Sequence, residues 1–472
     1  MKFLKSTIFN LFACLLALLV CSDVMQSQSN PNSVYSRFGL GLLDSPGAAP
    51  HFGMGGTTTA ITDPIVLNLA NPASYSFLDV TNLQIMGKGG YTKASNSITS
   101  SSYGGGQFHE LSMGFKKPGS KWGLAFGITP FSSIDYKFTS QDTLSDTLKA
   151  TYTYEGSGGL NKVTIGTSRL FKFYRKPDLS DSLQKGITDT TSIRVHQLSI
   201  GVNANYVFGN VRRENRIVFD NSETYTTLNS VNLWSQGFIF EAGLLYKVNL
   251  TTKRDDKGRI VGGSNIQLGV DYMHNGNLFA DYSELISSIR IFSTGAIRDT
   301  SFQLESEKGR LIIPQRISVG AAWKLFGKKW GSLNFAVDYK LQDWSQYKLR
   351  ITNEANLDKG LNSSTTLSAG IEFKPATDVN NGFFNRVNYR IGYRSYESAL
   401  VLNNTRIIQQ GVTMGLSIPV IRSLSKFHIG AELGKTGTTD AGLVEERYLT
   451  IMAGVTLTPS AFDKWFRQIK YD

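Results

Sequence analysis

Gly237-Phe238-Ile239-Phe240-Glu241-Ala242-Gly243-Leu244-Leu245-Tyr246-Lys247-Val248 sets one parity, Phe238, Phe240, Ala242, Leu244, Tyr246 and Val248, against another, Ile239, Glu241, Gly243, Leu245 and Lys247. Successive side chains of a β-strand point to opposite faces, so period two reads as strand, and here one face is oily throughout. Leu333, Phe335, Val337, Tyr339 and Leu341 alternate in the same way with Asn334, Ala336, Asp338 and Lys340. Val387, Tyr389, Ile391 and Tyr393 alternate with Asn388, Arg390, Gly392 and Arg394, and Phe427, Ile429, Ala431 and Leu433 with His428, Gly430, Glu432 and Gly434. Leu449, Ile451, Ala453, Val455 and Leu457 oppose Tyr448, Thr450, Met452, Gly454 and Thr456. Soluble sandwiches also alternate, but over about five or six residues, whereas these segments run to ten or more, the reach of a tilted membrane strand.

Outward from that stretch the theme repeats from residue 82 to 458. Fourteen segments carry it: 82–94, 107–117, 121–138, 159–174, 193–208, 231–249, 262–276, 311–326, 330–346, 362–374, 386–396, 409–419, 425–436 and 446–458. The number is even, as bacterial barrels require. The fold expected is therefore all-β, a 14-stranded antiparallel transmembrane β-barrel. Three even-numbered connections are very tight, Pro118-Gly119-Ser120, Gly327-Lys328-Lys329 and residues 420–424, while odd-numbered ones such as residues 139–158, 209–230 and 277–310 read as longer external loops. That asymmetry places both termini in the periplasm of a Gram-negative cell. Residues 175–192 break it, being long where a tight turn is expected.

The N-terminus sets the compartment. Lys2 and Lys5 precede a run from Ile8 to Val20 that is apolar except for Asn10, followed by a mostly polar stretch. This is a secretory signal, too short for a spanning helix, with cleavage expected near residue 27. Both cysteines, Cys14 and Cys21, fall in or beside it, so no disulfide is expected in the mature chain. No apolar run of about 18 residues follows, which leaves a barrel as the way across. The 472 residues are 41% hydrophobic, 18% charged and 11% aromatic, which excludes a disordered chain. The net charge of +12 is spread singly along the strands, which argues against nucleic acid and for contact with outer-membrane lipid headgroups.

Residues 28–81 do not alternate and are rich in Gly, Pro, Ser and Asn. Irregular backbone at membrane depth survives only inside protein or water, so this segment is expected to be a hatch within the barrel. Glycine recurs on the inward parity at 123, 127, 166, 201, 243, 269, 320, 370, 392, 415 and 454, leaving room for it. Phe52 followed by Gly53, Met54, Gly55 and Gly56, then Ala60, Asp63 and Asn71-Pro72-Ala73, resembles the hatch of the FadL/TodX family of hydrophobic-compound transporters. The resemblance covers residues 52–73 in motif and the mature chain in architecture, because that family builds fourteen-stranded barrels behind such a hatch.

Pro130 interrupts the third segment and cannot donate to a ladder, so a kink or gap is expected there. The resemblance makes it a candidate lateral gate, through which a hydrophobic solute would pass sideways into the bilayer. Inward charges are expected at Glu110, Glu241, Lys247, Asp271, Arg316, Asp338, Lys340, Glu372, Lys374, Arg390, Arg394, His428 and Glu432, their mixed signs suiting pairs across the lumen or anchors for the hatch. The tail at 459–472 mixes aromatic and basic residues, with Trp465, Phe466 and Arg467 as candidates for docking a partner. With five His, no mature thiol and no Gly-x-Ser-x-Gly elbow, neither an enzyme nor a metal or cofactor site is expected. The first functional expectation is passive uptake of hydrophobic small molecules, fatty-acid-like or aromatic, with lateral release. The alternative is an accessory barrel subunit of a protein-secretion or outer-membrane assembly machine that transports no solute.

Overall fold

The computed structural model describes residues 33–44, 47–145, 148–175, 194–220, 225–254, 260–292, 295–328, 330–351, 361–376, 382–420 and 423–459. The expected signal peptide at 1–27, both cysteines and Trp465, Phe466 and Arg467 of the tail lie outside the described residues, as does most of the long connection at 175–192.

A two-residue strand, β1 (Leu42–Leu43), belongs to the N-terminal segment. The wall begins with β2 (Asn82–Ser95), β3 (Ser100–Phe115), β4 (Trp122–Ser145), β5 (Leu148–Arg175), β6 (Arg194–Phe219) and β7 (Thr226–Arg254). It continues through β8 (Ile260–Met273), β9 (Gly276–Phe292), β10 (Gly295–Ile313), β11 (Arg316–Gly327), β12 (Gly331–Asp343) and β13 (Lys348–Ile351). β14 (Ser363–Lys374), β15 (Asn388–Leu402), β16 (Thr405–Pro419), β17 (Lys426–Thr436) and β18 (Glu445–Leu457) complete it. β8 runs on into β9, β10 into β11 and β12 into β13, so that β11 pairs with β8 below while β10 pairs with β9 above. Pro314, which has no amide to donate, marks one of these breaks. β18 pairs with β2 from Leu457↔Leu83 to Glu445↔Ser95, closing a 14-strand antiparallel barrel.

The alternation has the predicted sense. In β7, Phe238 and Phe240 are 59% and 57% exposed while Ile239, Glu241 and Leu245 on the other parity are at most 3% exposed. The exposed row is the face a bilayer covers. One expectation needs correcting: residues 139–158, 209–230 and 277–310 are mainly strand rather than loop. β4 and β5 stay paired up to Ser145↔Leu148, β6 and β7 up to Ile217↔Thr227, and β9 and β10 up to Phe292↔Gly295. These ribbons stand beyond the apolar belt, where the outer face need not be oily. Thr151, Tyr152, Thr153 and Tyr154 therefore carry strand propensity without the apolar alternation that marks a lipid-facing strand.

Inside the upper half of the barrel these extended strands turn apolar side chains onto one another. Ile134, Tyr136, Leu160, Val207, Val211, Ile239, Leu278, Leu311, Ile313 and Trp344 form one buried cluster, joined by Leu40 of the N-terminal segment. Full burial of a side chain of this size stabilises by about 1.5–3 kcal/mol, so the mouth of the lumen has a core of its own.

Candidate functional site

The hatch occupies the lumen below that core. A short helix, α1 (Ala49–Phe52), ends at Gly53, and the chain then turns through Gly55 and Gly56 at φ +71° and +78°. That left-handed region is costly for any residue with a Cβ. The turn is closed by the Gly56 amide donating to the His51 carbonyl at 2.9 Å. Asp63 accepts from the amides of Ile65 (2.8 Å) and Val66 (3.0 Å). Burial pushes the Asp63 carboxyl up, but the Lys426 charge and those two amides outweigh it and hold the group down to about 2. Asn71 accepts from the Ala73 amide at 3.0 Å and donates to the Thr59 carbonyl at 2.7 Å, capping a 3-10 turn, Pro72–Phe77, that starts on the proline. The glycine cluster, Asp63 and Asn71-Pro72-Ala73 are thus the three bends of one segment, buried at the first and last and half-buried at Asp63.

The wall receives this segment through its glycines. A Cβ on Gly201 would lie 2.4 Å from Pro72, on Gly243 2.1 Å from the Asn71 side chain, and on Gly123 2.2 Å from the Tyr75 carbonyl. On Gly269, Gly370 and Gly392 it would meet the backbone of Thr59, Met54 and Gly55 at 2.0, 2.4 and 2.3 Å. Gly53 and Gly415 pack backbone to backbone, a Cβ on either falling within 3 Å of the other's Cα. Hatch and wall therefore touch at main-chain distance around much of the circumference.

Some inward charges hold the hatch, and others pair with one another within the wall. Asp338 accepts from the Thr58 and Thr59 amides at 2.6 and 2.8 Å, and Lys340 reaches the Thr58 hydroxyl at 3.2 Å. Arg316 lies 3.1 Å from Asp271 and 3.4 Å from Glu241, and Arg394 lies 2.8 Å from Glu432. Arg390 pairs with Glu372, Glu110 accepts from Ser112 and Gln84, and Lys247 sits over the Phe77 ring. His428 bridges Ser417 and Thr456. Further participants escaped the sequence reading, among them Asp44, which pairs with Lys88 at 2.6 Å, and Glu446, which accepts from Ser33, Val34 and Tyr103. Glu446 and Lys88 stand on the inward parity of their strands and were findable there. Asp44 lies in irregular chain, where parity says nothing.

The wall has one weak seam. β3 and β4 are paired only from Leu111↔Ile128 to Phe115↔Leu124, although β3 extends up to Ser100 and β4 to Ser145. Pro130 follows the last pair by two residues, and the register of β4 against β5 shifts between Pro130 and Ser132. Above that point the free edge of β4 is taken by the N-terminal segment. Leu42 and Leu43 pair with Ser133 and Ser132, and the amides of Asp44 and Ser33 donate to the Phe131 and Asp135 carbonyls, each at 3.1 Å. A cavity of about 270 Å³ lies against this segment, apolar toward Phe38, Leu40 and Trp344, polar toward Lys88, Gln107 and Glu432.

The profile of one protein family, described as BamG, matches residues 8–172 and 185–472, nearly the whole sequence. The chain belongs to the BamG family. No curated protein matches it. This BamG-family barrel superposes on the Ralstonia pickettii toluene transporter TbuX with a TM-score of 0.51 at 11% identity, over 88% of this chain and 98% of that one. For the Pseudomonas putida toluene transporter TodX the values are 0.51 and 14%, and for a Pseudomonas aeruginosa FadL homologue 0.51 and 10%, each over 88% and 98%. At such identities the likeness is one of fold: BamG-family chain and transporters share an outer-membrane barrel with an N-terminal plug.

Proposed function

We propose that this BamG-family barrel is an accessory subunit of an outer-membrane machine for protein secretion or assembly, seated with both termini in the periplasm, and that it conducts no solute. The observation that carries this reading is a lumen filled at two levels. Hatch and wall meet at backbone distance through the glycines, and above them the apolar cluster around Leu278, Leu311 and Ile313 occupies the mouth. A conduit for oily molecules needs an apolar pocket open to the outside, commonly about 300–1,000 Å³. The cavity against the N-terminal segment, about 270 Å³, lies at the low edge of that range and carries charged groups on one wall.

A second reading rests on a different observation. The unpaired stretch of the β3–β4 seam lies beside that cavity, the arrangement expected if a hydrophobic small molecule left sideways past Pro130 into the bilayer. Gentle purification followed by mass spectrometry of what accompanies the barrel separates the two. The accessory role predicts a protein at stoichiometric ratio and no bound organic molecule. A solitary barrel carrying a hydrophobic compound would contradict it and favour uptake.

A further inference from the structure

The seam exposes a strand edge of unusual character. β3 is paired with β2 from Ser95↔Ser100 to Asn82↔Gly114, apart from a bulge at His109, but on its other side only Leu111–Phe115 have a partner strand. The edge from Gly104 to Glu110 stands at the depth of the lipid-facing belt, because Gly104 is level with Tyr91 on β2 and Leu449 on β18, both exposed apolar positions. Hydrocarbon offers no hydrogen bonds, and each backbone group left bare there costs several kcal/mol. Among the described residues, the N-terminal segment gives this edge no backbone bond. Its described backbone bonds to strands go to β4, at Phe131, Ser132, Ser133 and Asp135, and its contacts with β3 run through that strand's side chains, Gln107 donating to the Asp44 carboxylate and the His109 ring lying 3.1 Å from the Gly47 carbonyl.

Natural proteins blunt free edges with Lys, Pro or inward-turned charge. Ser100 to Phe108 carries no charged residue and no proline, and Gly104-Gly105-Gly106 presents no side chain that would hold another backbone away. An edge of this kind, continuous with the β3–β4 ladder below it, is built to be extended rather than protected. We infer that the upper edge of β3 binds an extended strand of a partner outer-membrane protein, which continues the ladder upward from Leu111 and turns apolar, uncharged side chains toward lipid. The inference rests on the accessory role and names where the partner attaches.

Adjacent strand residues aim their amides to opposite sides. Of Gly105 and Gly106, one therefore donates toward β2 and the other toward the open side. The test places a photo-crosslinking amino acid at Ser102 or Phe108, with Leu433, three strands away on β17, as control, in cells making the full-length protein. Gly105→Pro and Gly106→Pro are made in parallel. The expected result is crosslinking from the two β3 positions to one segment of one protein at every second residue, with none from Leu433. One of the two proline variants should lower recovery of that protein about tenfold, the loss of one buried hydrogen bond, while its barrel keeps heat-modifiable migration on gels. Crosslinks to lipid or to β4 alone, or full recovery of a partner with both proline variants, would overturn edge binding yet leave the accessory role standing. Absence of any partner from the unmodified protein would overturn both.

Discussion

Asp338 and Arg394 show what the inward charges do. Asp338 receives two hatch amides directly, whereas Arg394 and Glu432 pair with each other between β15 and β17. A buried pair adds little net stability over an apolar replacement, but removing one member strands the other charge at a cost of about 3–5 kcal/mol. Arg394→Met should therefore lower the unfolding midpoint of the purified barrel in urea by an amount matching that range. Adding Glu432→Gln should recover much of the loss, and equilibrium unfolding of the single and double variants measures both. Parity alone assigned Glu241, Asp271, Arg316, Asp338, Arg394 and Glu432 to the inward face of their strands, and in the structure Glu241, Asp271, Asp338 and Glu432 are buried. Which charge meets which was not legible, since that depends on stagger between strands, as with Arg394 of β15 reaching across β16 to Glu432 of β17.

At the scale of elements, the glycines of the wall and the bends of the hatch are two halves of one fit. Gly243→Val would put a Cβ 2.1 Å from the Asn71 side chain, in a place closed by backbone on the far side. Such a variant should keep its barrel, because β6 and β7 remain paired, but should expose the hatch to proteolysis at sites that are resistant in the unmodified protein. Gly382→Ala, with nothing within 4 Å, serves as the silent control. Limited proteolysis followed by mass mapping decides it. The fourteen wall strands could be read from the sequence because a lipid-facing row must be apolar at every second residue. The ribbons beyond the membrane could not, since water wets their outer face and removes that constraint. The seam was foreshadowed by Pro130, but the proline did not reveal that Leu42 and Leu43 would pair with the edge it frees.

For the whole molecule, the sequence established a plugged barrel and left open whether the plug leaves a way through. The described residues make contact at backbone distance below and form an apolar core above, and the functional proposal stands on that pair of closures. The most direct test is electrical. Purified mature protein inserted into a planar lipid bilayer should give no stepwise conductance at moderate voltage, and insertion should be verified independently by protease protection. Stable ohmic steps from the unmodified barrel would contradict a filled lumen and, with it, the accessory role proposed for this chain.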